Sequence, residues 1–202
     1  ITHGVSKHLL PVYDKPMIYY SISTLMSASI KEIAIITKSS DIDNFKMLLG
    51  DGNRWGLNLT YLIQDKSRGI AEGITIAENF LDGSSFVLIL GDNIFYGNGF
   101  LSLLNQANEN NGASIFGYKV SKPERFGVVK KDKKNKLIKI IEKPNIPPSN
   151  IAITGLYFFD NKAISFAKSN TFSARGELEI TDVINQYINL NLCNLFELED
   201  DF

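Results

Sequence analysis

Asp92 and Asn93 follow directly on the apolar run Phe86–Leu90, separated from it by Gly91 alone. A carboxylate carried off the end of a buried strand suits a hard cation. Mg²⁺ takes one or two protein carboxylates and completes its shell with substrate phosphate oxygens. Gly-Asp-Asn is equally good turn chemistry, and these residues alone leave both readings open. Glu142–Lys143–Pro144 ends another apolar run, "LIKIIE". A lysine about 4 Å from a phosphate gains on the order of 4 kcal/mol at an intermediate dielectric. An exposed Glu–Lys pair contributes well under about 1 kcal/mol. Pro144 predicts extended backbone at Lys143, with the Glu142 and Lys143 side chains on opposite sides. Thr37, Lys38 and Gln64 also stand just past apolar runs, and Lys7 precedes "HLLPVY".

Other residue types offer less. His3 and His8 are five apart with no second pair of ligands around them, which does not describe a metal site. Ser6 and Ser173 lack a nucleophile-elbow context. No G-x-G-x-x-G follows a strand, which argues against a dinucleotide-binding dehydrogenase. Met17, Met26 and Met47 fit core packing.

The elements that must position these groups alternate in type. "EIAIIT" (32–37), "LNLTYLIQ" (57–64), "FVLIL" (86–90) and "ASIFGYKV" (113–120) are short, β-branched runs of the kind buried on both faces. Between them lie helical patterns. Pro16 stands at the start of one, and Ser40 or Asp41 caps another that stops at Gly50. Ile70, Ile74, Ala77 and Leu81 form the stripe of a third. Alternating strands and helices predict an α/β fold with a mostly parallel sheet flanked by helices. Beyond residue 120 the rhythm becomes β-rich. A hairpin turns at 132–136 inside the lysine run 130–136, a strand covers 151–160, a helix covers 176–191 and a last strand covers 192–199. In an open α/β sheet, ligands bind beyond the carboxyl ends of strands. That rule gathers Gln64, Asp92, Asn93, Glu142 and Lys143 toward one cleft.

Composition bounds the function. The 202 residues carry a net charge of −1, with 44% apolar and 21% charged residues. Such a chain has length for a sizeable core and no basic field for nucleic acid. Cys193 is the only cysteine, which suits a reducing, cytoplasmic setting. No apolar run reaches the roughly 18 residues of a membrane span.

"SKHLLPVYDKPMIYY", "LLGDG", "WGLNLTYLIQ", "VLILGDNIFYG", "PERFGVV", "IIEKP", "ITGLYFFD" and "SARGELEITDV" occur in this order. In that order they resemble the glucose-1-phosphate thymidylyltransferases among the sugar-nucleotide nucleotidyltransferases. The resemblance runs from residue 3 to 198. It implies a Rossmann-like nucleotide-diphospho-sugar transferase fold in a single domain. Residues 1–112 would form the nucleotide-binding part and residues 113–202 a sugar-binding part. It further implies Mg²⁺-dependent formation of dTDP-glucose from dTTP and glucose 1-phosphate, as used in dTDP-rhamnose biosynthesis, in a homotetramer.

By the same resemblance Asp92 would hold Mg²⁺, Lys7 would face the triphosphate and Lys143 would grip the sugar phosphate. Glu142, Asn93, Gly127, Ile153 and Thr154 would line the sugar pocket. Gln64 would bond the thymine, and Gly69 would admit the base.

The chain departs from the family pattern. It holds no G-G-x-G-T-R-L loop and no W-x-D-x-G segment with a second metal-binding aspartate. It is therefore expected to be an incomplete, inactive fragment, with two strand edges and apolar surface left open where a first strand would lie. In the base-binding stretch, "QDKSRGIAEG", Arg68 stands for an acidic residue and Glu72 and Gly73 for Gln and Ala, and Phe126 stands for a tyrosine. These changes keep uridylyl or cytidylyl transfer, and non-catalytic binding of a sugar nucleotide, as alternatives.

Overall fold

The computed structural model describes residues 6–97 and 99–198; His3 lies outside them. After a 3-10 turn at Lys7–Leu9, a short antiparallel ribbon of β1 (Pro11–Val12) and β2 (Lys15–Pro16) leads into α1 (Met17–Ser27). The apolar runs then become β3 (Glu32–Thr37), β4 (Asn58–Ile63), β5 (Phe86–Ile89) and β6 (Ala113–Lys119). Helices α2 (Ile42–Leu49), α3 (Ile70–Ile76), α4 (Glu78–Leu81) and α5 (Phe100–Glu109) alternate with them. The β-rich half supplies β7 (Gly127–Lys131), β8 (Leu137–Glu142) and β9 (Ile151–Phe159). The described chain closes with α6 (Lys162–Ser169), α7 (Ile180–Asn189) and β10 (Cys193–Glu197).

The sheet is mixed. β3 and β4 are parallel, as are β10 and β6, but β9 runs antiparallel to β5, β6 and β7. The reason is the long central strand β9, which enters from the hairpin half rather than from a helical crossover. β6 covers one edge of β9. β5 and β7 share the other, β5 opposite Leu156–Phe159 and β7 opposite Ala152. The parts read as 1–112 and 113–202 are thus joined through β5, the strand of the first that pairs into the six-stranded sheet. Among the described residues β3 pairs only with β4, and β5 only with β9.

Alternation along β9 feeds two cores. Tyr157 and Phe159 pack with α3, α6 and α7, whereas Leu156 and Phe158 pack with α5. Both faces are covered, so the strand is apolar almost throughout. A third cluster joins α1, α2, β3 and β4 through Ile22, Leu25, Ile33, Phe45 and Leu59. Each fully buried side chain of this size contributes about 1.5–3 kcal/mol relative to exposure.

Three local expectations are corrected. The helix expected over 176–191 begins at Ile180. Gly176 closes a turn onto Ser173 instead, and Glu179 is extended, because the Leu178 amide donates to Arg68 (2.6 Å) and the Leu178 carbonyl accepts from Ala71 (3.2 Å). Helix α6 lacked a strong start signal and escaped the periodicity reading. Met26 and Met47 are 42% and 85% exposed, on the outer faces of their helices rather than in the core.

Candidate active site

The end of β5 is built for close approach. The Leu90 amide donates to the Gly155 carbonyl at 2.8 Å, continuing the ladder one residue past the strand. The chain then turns away, and the next donor of β9, the Gly155 amide, is taken by Asn93 Oδ1 at 2.8 Å. Gly155 is required here, since a Cβ would lie 2.7 Å from Leu90 Cγ. Ser21 of α1 secures the turn by donating to the Leu90 carbonyl at 3.2 Å. Asn93 Nδ2 donates to Asp92 Oδ1 at 3.1 Å. The Asn93 side chain therefore stitches β5 to β9 and steadies the carboxylate.

Lys7 arrives from the opposite end of the sequence and donates to Asp92 Oδ2 at 2.5 Å. Burial opposes ionisation of Asp92, but the Lys7 hydrogen bond and charge, with the Asn93 amide, outweigh it and hold the carboxyl below its ordinary value. His8 packs over Gly91 and bonds Ser6 through Nδ1 at 3.0 Å. Burial lowers its basicity, with the Asp92 charge acting in opposition.

A cleft of about 610 Å³ opens beside this strand end. Its floor is apolar, from Ile22, Ile33 and Phe45, and its rim is polar, from His8, Lys38, Asp41 and Gln64. It is the slot between the facing edges of β3 and β5, unpaired there among the described residues, and Ile33–Thr37 and Ile89 line it. Gln64 is fixed at three points. Its amide donates to the Thr37 carbonyl at 2.9 Å, and Nε2 donates to the Gly69 carbonyl at 3.1 Å and to Glu72 Oε2 at 2.8 Å. Gly69 adopts φ +100°, and a Cβ there would stand 2.3 Å from the Leu178 carbonyl. Only glycine fits, so the expected space for a base goes together with tight docking of this loop on Leu178.

Glu142 and Lys143 belong to a second cluster, at the end of β8 in the six-stranded sheet that also holds β5. Gly127 pairs with Glu142 across β7 and β8, and Ile153 and Thr154 occupy the stretch of β9 between its partners β7 and β5. Lys143 is not extended. It takes φ +38° because its amide donates to the Phe126 carbonyl at 2.9 Å and the chain turns before Pro144. Arg175 bonds Glu142 at 3.1 Å and also pairs with Glu177 and Glu179. Desolvation, then the charge of Glu179, raises the Glu142 pKa, and Arg175 and Lys143 offset part of that rise. Thr154 Oγ1 is buried without a hydrogen-bond partner among the described residues. An orphaned hydroxyl on β9, next to the Gly155 that Asn93 bonds, is a ready contact for a polyhydroxylated ligand.

Structure thus brings together Lys7, Asp92 and Asn93 at one strand end, with Gln64 and Gly69 across the cleft. Glu142, Lys143, Gly127, Ile153 and Thr154 gather on the adjoining strands. Sequence reasoning missed Arg175, Glu179 and Ser21, and read Glu72 only as a departure from the family pattern. The signal for the first two was present in "SARGELEITDV", where one arginine precedes glutamates two and four residues on.

No group of three or more His, Cys, Asp or Glu side chains is gathered for a metal among the described residues. Asp92 alone, ionised and partly open to solvent, offers the single carboxylate that Mg²⁺ uses when substrate phosphates complete its shell. No helix among the described residues is long and apolar enough to cross a membrane.

Comparison with known proteins follows the same outline. The family model described as nucleotidyl transferase matches residues 1–199. A glucose-1-phosphate thymidylyltransferase of Neisseria meningitidis serogroup A is 50% identical over 189 residues, covering 93% of this chain and 66% of that protein. One from Xanthomonas campestris is 50% identical over 190 residues, covering 94% of this chain and 64% of its own length. The chain therefore spans just under two thirds of these relatives. A Bacillus anthracis crystal structure, described as a glucose-1-phosphate thymidylyltransferase in complex with sucrose, superimposes with a TM-score of 0.89. It is 39% identical and covers 98% of this chain and 80% of that one. A UDP-glucose pyrophosphorylase bound to UDP-glucose shares the fold, with a TM-score of 0.80 at 19% identity over 97% of this chain and 84% of that one.

Proposed function

The chain belongs to the nucleotidyl transferase family, and on that premise we propose that the protein of which it is part transfers a thymidylyl group from dTTP to glucose 1-phosphate, giving dTDP-glucose and pyrophosphate. The observation that carries this reading is the meeting of Lys7 with Asp92 at the end of β5, with Gln64 held in place at the end of β4. A cation, a carboxylate and a base-reading amide are the groups such a transfer requires.

In this reading a phosphate oxygen of the sugar phosphate attacks the α-phosphorus of dTTP in line. A P–O bond forms there as the bond to the β-phosphate breaks, and pyrophosphate leaves. No side chain becomes covalently attached, so the protein contributes position and charge. Lys7 neutralises triphosphate oxygens. Lys143 and Arg175 hold the sugar phosphate, which makes Arg175 a further member of the site. Glu142 accepts sugar hydroxyls, and Thr154 Oγ1 finds in the sugar the partner it lacks. Gln64 orients the base over the cleft, and Asn93 keeps the β5–β9 junction in register. Asp92 would hold Mg²⁺. The ion, when bound, would supply charge neutralisation at the phosphates. Family resemblance adds a homotetrameric, cytoplasmic enzyme to this proposal.

Pyrophosphate release from glucose 1-phosphate, measured on the full-length protein with dTTP, UTP and CTP in turn, tests the reading. Fastest release with dTTP supports it. Fastest release with UTP or CTP moves the protein to a sister activity, and no release with any of them leaves a binding protein.

A further inference from the structure

We infer that Glu72 is a positioning residue for base selection, locking the Gln64 side chain so that it presents only a hydrogen-bond acceptor to the cleft. An amide side chain can offer a base either its oxygen or its NH₂ group, and a free glutamine offers both. Here both hydrogens of Nε2 are committed, one to the Gly69 carbonyl at 3.1 Å and one to Glu72 Oε2 at 2.8 Å. A carboxylate and a carbonyl are acceptors only, so the flipped amide would set its oxygen against two oxygens. The orientation follows from chemistry. Arg68 holds the other carboxylate oxygen, Oε1, at 3.4 Å, and the Thr37 carbonyl fixes the Gln64 backbone. Among the described residues Gln64 Oε1 accepts no hydrogen bond and is left for a ligand.

The consequence is selectivity between pyrimidines. Thymine and uracil carry an N–H at ring position 3, which an acceptor-only glutamine can bind. Cytosine held in the same pose has a lone pair at that position, and two acceptors then face each other unpaired. Sites built around one buried polar partner reject the mismatched ligand strongly. Two of the positions at which this chain departs from the family pattern, Arg68 and Glu72, thus form one device acting on Gln64. This inference rests on the nucleotide reading of the cleft.

Calorimetric titration of the full-length protein with dTTP and with CTP, without sugar phosphate, tests it apart from turnover. The unaltered protein is expected to bind dTTP at least about tenfold more tightly than CTP. Glu72→Gln, which keeps the shape but lets the Gln64 amide turn, and Glu72→Ala should each shrink that ratio about fivefold. A ratio unchanged in both variants, or absent from the unaltered protein, overturns the inference. Binding of neither nucleotide overturns it together with the nucleotide reading. Selective binding without pyrophosphate release leaves the inference standing and removes only the transfer reaction.

Discussion

Lys7 Nζ lies 2.5 Å from Asp92 Oδ2, although 85 residues separate them. The 3-10 turn that carries Lys7 and the glycine step that ends β5 have no local reason to meet. They meet because α1 packs across β5 and Ser21 clasps the strand end, setting the cation against the carboxylate just past β5.

Asp92→Asn should lower pyrophosphate release by about 10²–10³-fold, the usual loss when one preorganised charge-stabilising group is removed. The Asp92 side chain is 35% exposed, so thermal stability at pH 7 should change by no more than about 1 kcal/mol. Because the Asp92 pKa is depressed, the stability its charge contributes is present above the ordinary value of 3.8 and lost as pH falls through the lower folded value. Melts of both proteins should therefore converge at acid pH. Undiminished turnover in the variant would remove Asp92 from the mechanism.

Glu142 behaves in the opposite sense. Its folded pKa lies above the ordinary 4.5, so between those two values the native state binds the extra proton. Its contribution to stability falls as pH rises through that window, and the penalty is fully present above it. Glu142→Gln should flatten that part of the stability–pH profile while raising KM for glucose 1-phosphate about tenfold. Parallel profiles for the two proteins would contradict the assignment.

Arg175 is the cation shared by Glu142, Glu177 and Glu179. Arg175→Met leaves three carboxylates facing one another and should cost about 1–2 kcal/mol, a drop of about 4 °C in melting temperature. Adding Glu142→Gln should recover part of that loss, since one repelling charge is gone. A double-mutant cycle that closes additively would show that the pair is not coupled.

Gly69→Ala tests the docking of the base loop on Leu178. The added methyl meets the Leu178 carbonyl, and φ +100° strains any other residue, so the cost should exceed about 2 kcal/mol. Faster hydrogen exchange at the Ala71 amide, which donates to Leu178, should accompany weaker dTTP binding. A melting temperature within about 1 °C of the unaltered protein's would show that the loop yields without cost.

The sequence alone determined the strands, most helices and the polar residues at the strand ends, because period-2 and period-3.6 burial and glycine stops are local properties. It also carried the ordered motifs that mark the family. Other features were decided by partners far along the chain. The sheet is mixed because β9 takes three antiparallel neighbours. The extended start before α7 comes from Arg68 and Ala71 bonding to Leu178. The left-handed turn at Lys143 comes from the Phe126 carbonyl, which overrides the extended preference set by Pro144. Whether Gln64 donates or accepts toward the cleft was likewise invisible until Glu72 and Gly69 were placed beside it. Residue types fix which hydrogen bonds a side chain can make, and only packing fixes which of them are already taken.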